Sequence, residues 1–198
     1  MKKIKAVTFT AAGIAALGLA GVASAKSPVP GMPGNQNIVE IATAVNATGE
    51  FDYLLGAATC DYFEGAVVEL LTGEDKLTLF APTDAAFRDF LGVEQPGEGE
   101  SEPSGEIFPC AAVPPAVLFD VLAYHVTDGR RFSNSVFNKN NSKMIEMLNG
   151  QYVISNPNLT LNDNAGQTIG IPSLDFVNIN ASNGVIHVID TVLLPFSP

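Results

Sequence analysis

The chain is predicted to fold as an α+β domain, and three observations carry that prediction. Apolar residues recur at helical spacing through the first half. Short apolar runs separated by Asn and Gly turns fill the second half. Near the end, residues 185–190 are mostly apolar on both of their alternating faces. Helices first and strands afterwards is an α+β order.

Ile38, Ile41, Ala42 and Val45 open the helical pattern; Phe51, Leu54, Leu55 and Ala58 repeat it, as do Val67, Leu70 and Leu71 before a stop at Gly73. Residues 77–80 are too few for a helix and run toward Pro82, so they read as a strand. Thr83 suits the N-cap of a further helix, and Asp84 places negative charge at its N-terminus. Phe87, Phe90 and Leu91 then face one way and Gly92 ends the helix. Pro114 and Pro115 suit another first turn, followed by Val117, Leu118, Val121 and Leu122. Tyr124, His125 and Val126 close that helix, and Thr127, Asp128 and Gly129 turn the chain. From Arg131 onward the chain reads as β-rich, with strand candidates at 152–155 and 176–179. Turns are marked by Asn149-Gly150, by 164–166 and by Asn183-Gly184.

In the run 185–190, Val185, His187 and Ile189 share one face while Ile186, Val188 and Asp190 share the other, which predicts an interior strand covered on both sides. His187 is then expected to be buried, neutral and hydrogen-bonded. His125 lies four residues after Val121, on the buried stripe of its helix. It either caps free carbonyls at the helix end or forms a recognition edge with Tyr124.

Residues 1–25 read as a secretory signal peptide: Lys2, Lys3 and Lys5, an uncharged run rich in Ala, Gly and Leu, then Ala23-Ser24-Ala25. The run is short for a membrane anchor and carries glycines, so cleavage is expected, with the product secreted, extracellular or periplasmic. Residues 26–36 read as a flexible Pro/Gly linker. Residues 37–195 read as a single domain, and no second long apolar run predicts a membrane span. Cleavage removes three lysines and no acids, leaving seven basic against 21 acidic residues, a net charge of −14. Such a chain repels nucleic acid, whose binding needs Lys and Arg.

Residues 94–106 hold five glutamates among Pro, Gly and Ser, and read as a solvated acidic insertion. A calcium site is the alternative, but the acids lack the spacing of a calcium loop, and no metal is expected. The two cysteines, Cys60 and Cys110, point to a disulfide in an exported chain, with two buried free thiols as the alternative. No nucleophile elbow, P-loop, zinc-protease or dinucleotide motif is present, so neither catalytic residues nor a cofactor are expected. Four N-x-S/T triplets, at Asn46, Asn140, Asn158 and Asn180, are read as chance.

Three blocks in order, LTLFAPTDAAF from Leu77, the Tyr124-His125-Val126 triplet, and NGVIHVIDTVLLP from Asn183, resemble the signature segments of the fasciclin domain. The resemblance implies a β-sandwich-like wedge of about seven strands with short helices packed against it. It also implies a non-catalytic adhesion or interaction module with an extracellular or cell-surface protein or carbohydrate partner. In animal members the Tyr-His segment is associated with integrin binding, which by resemblance touches only Tyr124 and His125 here. Some relatives in photosynthetic microbes resemble carotenoid-binding proteins, so a carrier of a small apolar ligand is the alternative.

Overall fold

The computed structural model describes residues 35–45, 50–93 and 108–196. The expected signal segment 1–25, the acidic insertion 94–106 and all of the expected linker except Asn35 and Gln36 lie outside them. Among the described residues no helix is long and apolar enough to cross a membrane.

The predicted helices are present. α1 (Ile38–Val45), α2 (Asp52–Ala58) and α3 (Ala66–Thr72) precede the first strand, β1 (Leu77–Pro82). α4 (Asp84–Leu91) starts as expected, with the Thr83 hydroxyl accepting the Ala86 N–H at 3.3 Å, and ends on Gly92 at φ 66°. This left-handed conformation suits glycine, which has no Cβ to clash. α5 (Pro115–Ala123) begins with Pro115 in its first turn.

Among the described residues eight strands form two four-stranded sheets, one more than the about seven the resemblance implied. The first sheet has the order β2 (Val126–Asp128), β1, β8 (Gly184–Ile189), β7 (Ile179–Ala181). β1 and β8 run parallel, with Leu79 opposite Ile186 and Phe80 opposite His187. β8 is therefore interior, and all six of its residues are buried, as its two apolar faces predict. The second sheet is an antiparallel meander, β3 (Lys143–Glu146), β4 (Tyr152–Ser155), β5 (Leu161–Asn162), β6 (Thr168–Ile169).

Three local expectations are corrected. Val126 to Asp128 do not close a helix and turn; they pair with β1, and only Gly129, at φ 82°, turns the chain. Residues 133–136 form a single helical turn, α6 (Ser133–Val136), whose Ser133 N–H is capped by Asn178 Oδ1 at 2.6 Å from 45 positions away. Phe176 belongs to a 3₁₀ turn (Leu174–Phe176), and the strand starts later, at Ile179. In the first two cases a partner remote in sequence decides the local conformation.

The core has two parts on opposite faces of the first sheet. On one face Leu77, Leu79, Ala81, Ile186 and Val188 pack against the helices through Ile38, Leu54, Val67, Phe87 and Leu118, with Phe108 of the segment before Cys110 among them. On the other, Phe80 and Ile189 meet Ile145, Val153, Leu161 and Ile169 of the second sheet, with Tyr124, Phe137 and Leu193 between.

Candidate functional site

Tyr124 and His125 are set by the end of α5, where Tyr124 is the C-cap residue. Both are inside the protein, 0% and 1% exposed, so neither offers a surface to a partner. The expected recognition edge is thus not found at these two side chains. The Tyr124 hydroxyl donates to the Tyr152 carbonyl at 2.7 Å, and burial pushes the phenol up to about 12. His125 Nδ1–H donates to the Val121 carbonyl at 2.7 Å and Nε2 accepts the Leu193 N–H at 2.9 Å. Burial pushes this imidazole down to about 4, so it is neutral and both nitrogens are engaged.

His187 is buried as expected. Its Nε2–H donates to the Arg131 carbonyl at 2.8 Å, and its ring lies between Phe80 and Phe137. Burial pushes it down to about 4 as well. Cys60 and Cys110 are joined by a disulfide. Among the described residues no group of three or more His, Cys, Asp or Glu side chains is arranged to hold a metal ion.

Among the described residues, a cavity of about 830 Å³ lies between α1, α2, α3, α5 and the helix-facing side of the first sheet. Its floor is formed by Leu79, Val126 and the buried His125; Cys60, Phe108 and Cys110 stand in its wall. Thr43 and Thr59, which also line it, spend their hydroxyls on carbonyls of their own helices, Val39 at 2.8 Å and Leu55 at 2.8 Å. The interior is consequently mostly apolar despite their hydroxyls, although Asp52 and Asp61 also belong to the lining.

Exposed apolar side chains rim the opening: Tyr62, Leu70 and Phe119, the last 48% exposed. The buried Phe63 backs them, its ring 4.7 Å from Tyr62 edge-on and 6.0 Å from Phe119. The Tyr62 hydroxyl donates to the Cys110 carbonyl at 3.2 Å, and partial burial raises its phenol. The sequence reading missed Tyr62 and Phe119. A signal was present: Phe119 lies off the Leu118–Val121–Leu122 stripe, so an aromatic stands on the side of α5 that should be polar.

A sequence model of the fasciclin domain matches residues 61–195. The chain belongs to the fasciclin family. The matched segment of this fasciclin domain starts after α2, so α1 and α2, which supply part of the cavity wall, lie outside it. A protein of Synechocystis sp., Protein sll1483, is 29% identical over 198 residues, covering 96% of this chain and 95% of its own. Among solved structures, the FAS1 domain pair from the insect cell adhesion molecule fasciclin I aligns with a TM-score of 0.47 at 16% identity. That alignment covers 72% of this chain and 45% of the domain pair, so this chain spans under half of it.

Proposed function

We propose that this fasciclin domain is an exported, non-catalytic binding module that carries a small apolar ligand, of the carotenoid kind, in the cavity beneath its helices. The cavity is the observation that carries the reading: its volume of about 830 Å³ falls in the range of small-molecule sites, and its wall is mostly apolar. Residues 1–25 are taken as the export signal, 26–36 as a linker, and 37–195 as the domain with an acidic insertion at 94–106. The protein then works in the periplasm or outside the cell. Purification from the native host, followed by an ultraviolet–visible spectrum and mass spectrometry of an organic extract, tests this. An apolar molecule that copurifies and leaves with the solvent is the expected result. An aromatic band alone with an empty extract would overturn it.

A second reading, attachment to an extracellular protein or carbohydrate, is favoured by the outward face of β3 and β4. Met144, 62% exposed, stands opposite Ile154, with Tyr152 beside it also exposed. Exposed apolar patches of this kind suit partner contact. In this reading Tyr124 and His125 act by holding α5 and β4 in place. Replacing Met144 and Ile154 by Ser and Thr should then abolish binding of the labelled protein to the host's cell surface while leaving its melting point intact; unchanged binding would remove this surface from consideration.

A further inference from the structure

Resting on the cavity as the ligand site, we infer that its ligand is uncharged, a long-chain alcohol, ester or hydrocarbon, and that fatty-acid-type anions are excluded. Four features of the wall argue for this class. Among the described residues lining the cavity there is no Lys or Arg, whereas Asp52 and Asp61 are there. Two cations of the fold, Lys76 and Arg88, stand outside this lining and are engaged elsewhere. Lys76 Nζ donates to the Ser182 carbonyl at 3.3 Å, and the Arg88 guanidinium lies 5.7 Å from the centre of the Tyr53 ring.

The amino end of α2 would otherwise be the natural place for an anion, because free backbone N–H groups gather there. It is already occupied from within the fold. Asp84 Oδ1 accepts the Tyr53 N–H at 2.9 Å and Oδ2 accepts the Asp52 N–H at 3.2 Å. His125, on the cavity floor, is neutral with both nitrogens bonded, and so adds neither charge nor a spare donor. A carboxylate entering this cavity would lose its water beside Asp52 and Asp61, with no Lys or Arg among the described lining residues to compensate it, against a net charge of −11 on the whole chain.

Two competitors with one hydrocarbon chain and different heads test the inference. Retinol, a neutral polyene whose fluorescence rises in an apolar site, is bound to the full protein and displaced by hexadecan-1-ol or by hexadecanoate at about pH 8, where the acid is ionised. The alcohol should displace retinol at a concentration at least about tenfold lower than the acid. In the Asp61→Lys variant, a change at an exposed position, the gap should narrow as hexadecanoate gains. Equal or stronger displacement by hexadecanoate from the unaltered protein would overturn the neutral class while leaving the cavity as a ligand site. If retinol gains no fluorescence with the protein, the carrier reading falls and the inference falls with it.

Discussion

His125 Nε2 accepts the backbone N–H of Leu193 at 2.9 Å, across 68 positions of sequence. One imidazole thereby ties the end of α5, through the Val121 carbonyl, to the segment that follows β8. The second and third fasciclin blocks are therefore joined by a direct bond, and the histidine is a structural link between them.

Replacing His125 by Ala should strand the Leu193 N–H in the core and open a void beside it. A loss of about 2–4 kcal/mol is expected in urea denaturation. Tyr124→Phe removes a single hydroxyl bond and should cost about 1 kcal/mol. His187→Ala, which frees the Arg131 carbonyl, should cost about 1–3 kcal/mol. A His125→Ala protein as stable as the parent would remove the structural role argued for this residue.

Both buried histidines make the fold acid-sensitive. Folded, they stay neutral down to about pH 4, whereas in the unfolded chain they take up protons near 6.5. The unfolded state binds more protons throughout that window, so stability is full above about pH 6.5 and falls as pH drops toward 4. Each histidine can contribute a loss of roughly 3 kcal/mol across it. Asp84 acts in the opposite sense. Burial is the main cause that raises it to about 6 from 3.8, outweighing the two backbone N–H donors. The folded state therefore binds the extra proton between about 4 and 6, and stability from this group rises as pH falls. Two groups oppose one, so denaturation midpoints should drop from pH 7 to 4.5, and drop further in Asp84→Asn. A midpoint independent of pH would contradict the burial of both imidazoles.

The interior strand was legible because both faces of 185–190 are mostly apolar, and the helices because their stripes repeat. What could not be read is what depends on distant partners. Asp84 looked like a first-turn charge on its own helix, yet its carboxylate caps α2 instead, 31 and 32 positions upstream. Tyr124 and His125 looked like one candidate surface because they are polar-tipped residues at a helix end. Only the arrival of Tyr152 and Leu193 shows where their polar atoms go. The cavity is a property of four helices together, and no single helical stripe distinguishes a lining residue from a core one.

Asn183 is a second cross-link whose role exceeds the turn it marks. Its Oδ1 accepts the Ile38 N–H at 2.9 Å, at the start of α1, while its Nδ2 donates to the carbonyls of Leu71 at 2.8 Å and Gly73 at 3.0 Å, at the end of α3. Beside it, a Cβ on Gly184 would lie 2.3 Å from the Leu77 carbonyl oxygen, which is why glycine follows. Asn183→Ala should therefore cost about 2–4 kcal/mol, and Asn183→Asp nearly as much, since the carboxylate keeps the acceptor but cannot donate to α3. Hydrogen exchange at Ile38 should accelerate in the Ala variant and much less in the Asp variant. Equal protection of Ile38 in both would show that the α1 cap is not made by this side chain.

The disulfide and Gly56 should be energetically coupled through Phe108. Phe108 is fully buried two residues before Cys110, and a Cβ built on Gly56 would sit 2.8 Å from the Phe108 Cβ. While Cys60 holds Cys110, that phenylalanine has little room to retreat, so Gly56→Ala should destabilise the oxidised protein by about 1–3 kcal/mol from overpacking, despite alanine's better helix propensity. Replacing both cysteines by Ser should itself cost up to about 4 kcal/mol in the chain-entropy model, with far-ultraviolet circular dichroism retained because Phe108 still packs on Phe87. In that Ser background Phe108 can shift, and the cost of Gly56→Ala should shrink toward zero or reverse as propensity takes over. A double-mutant cycle on urea midpoints reads the coupling directly. Additive costs would mean that Phe108 is held by its own burial and that the bridge does not constrain this wall of the cavity.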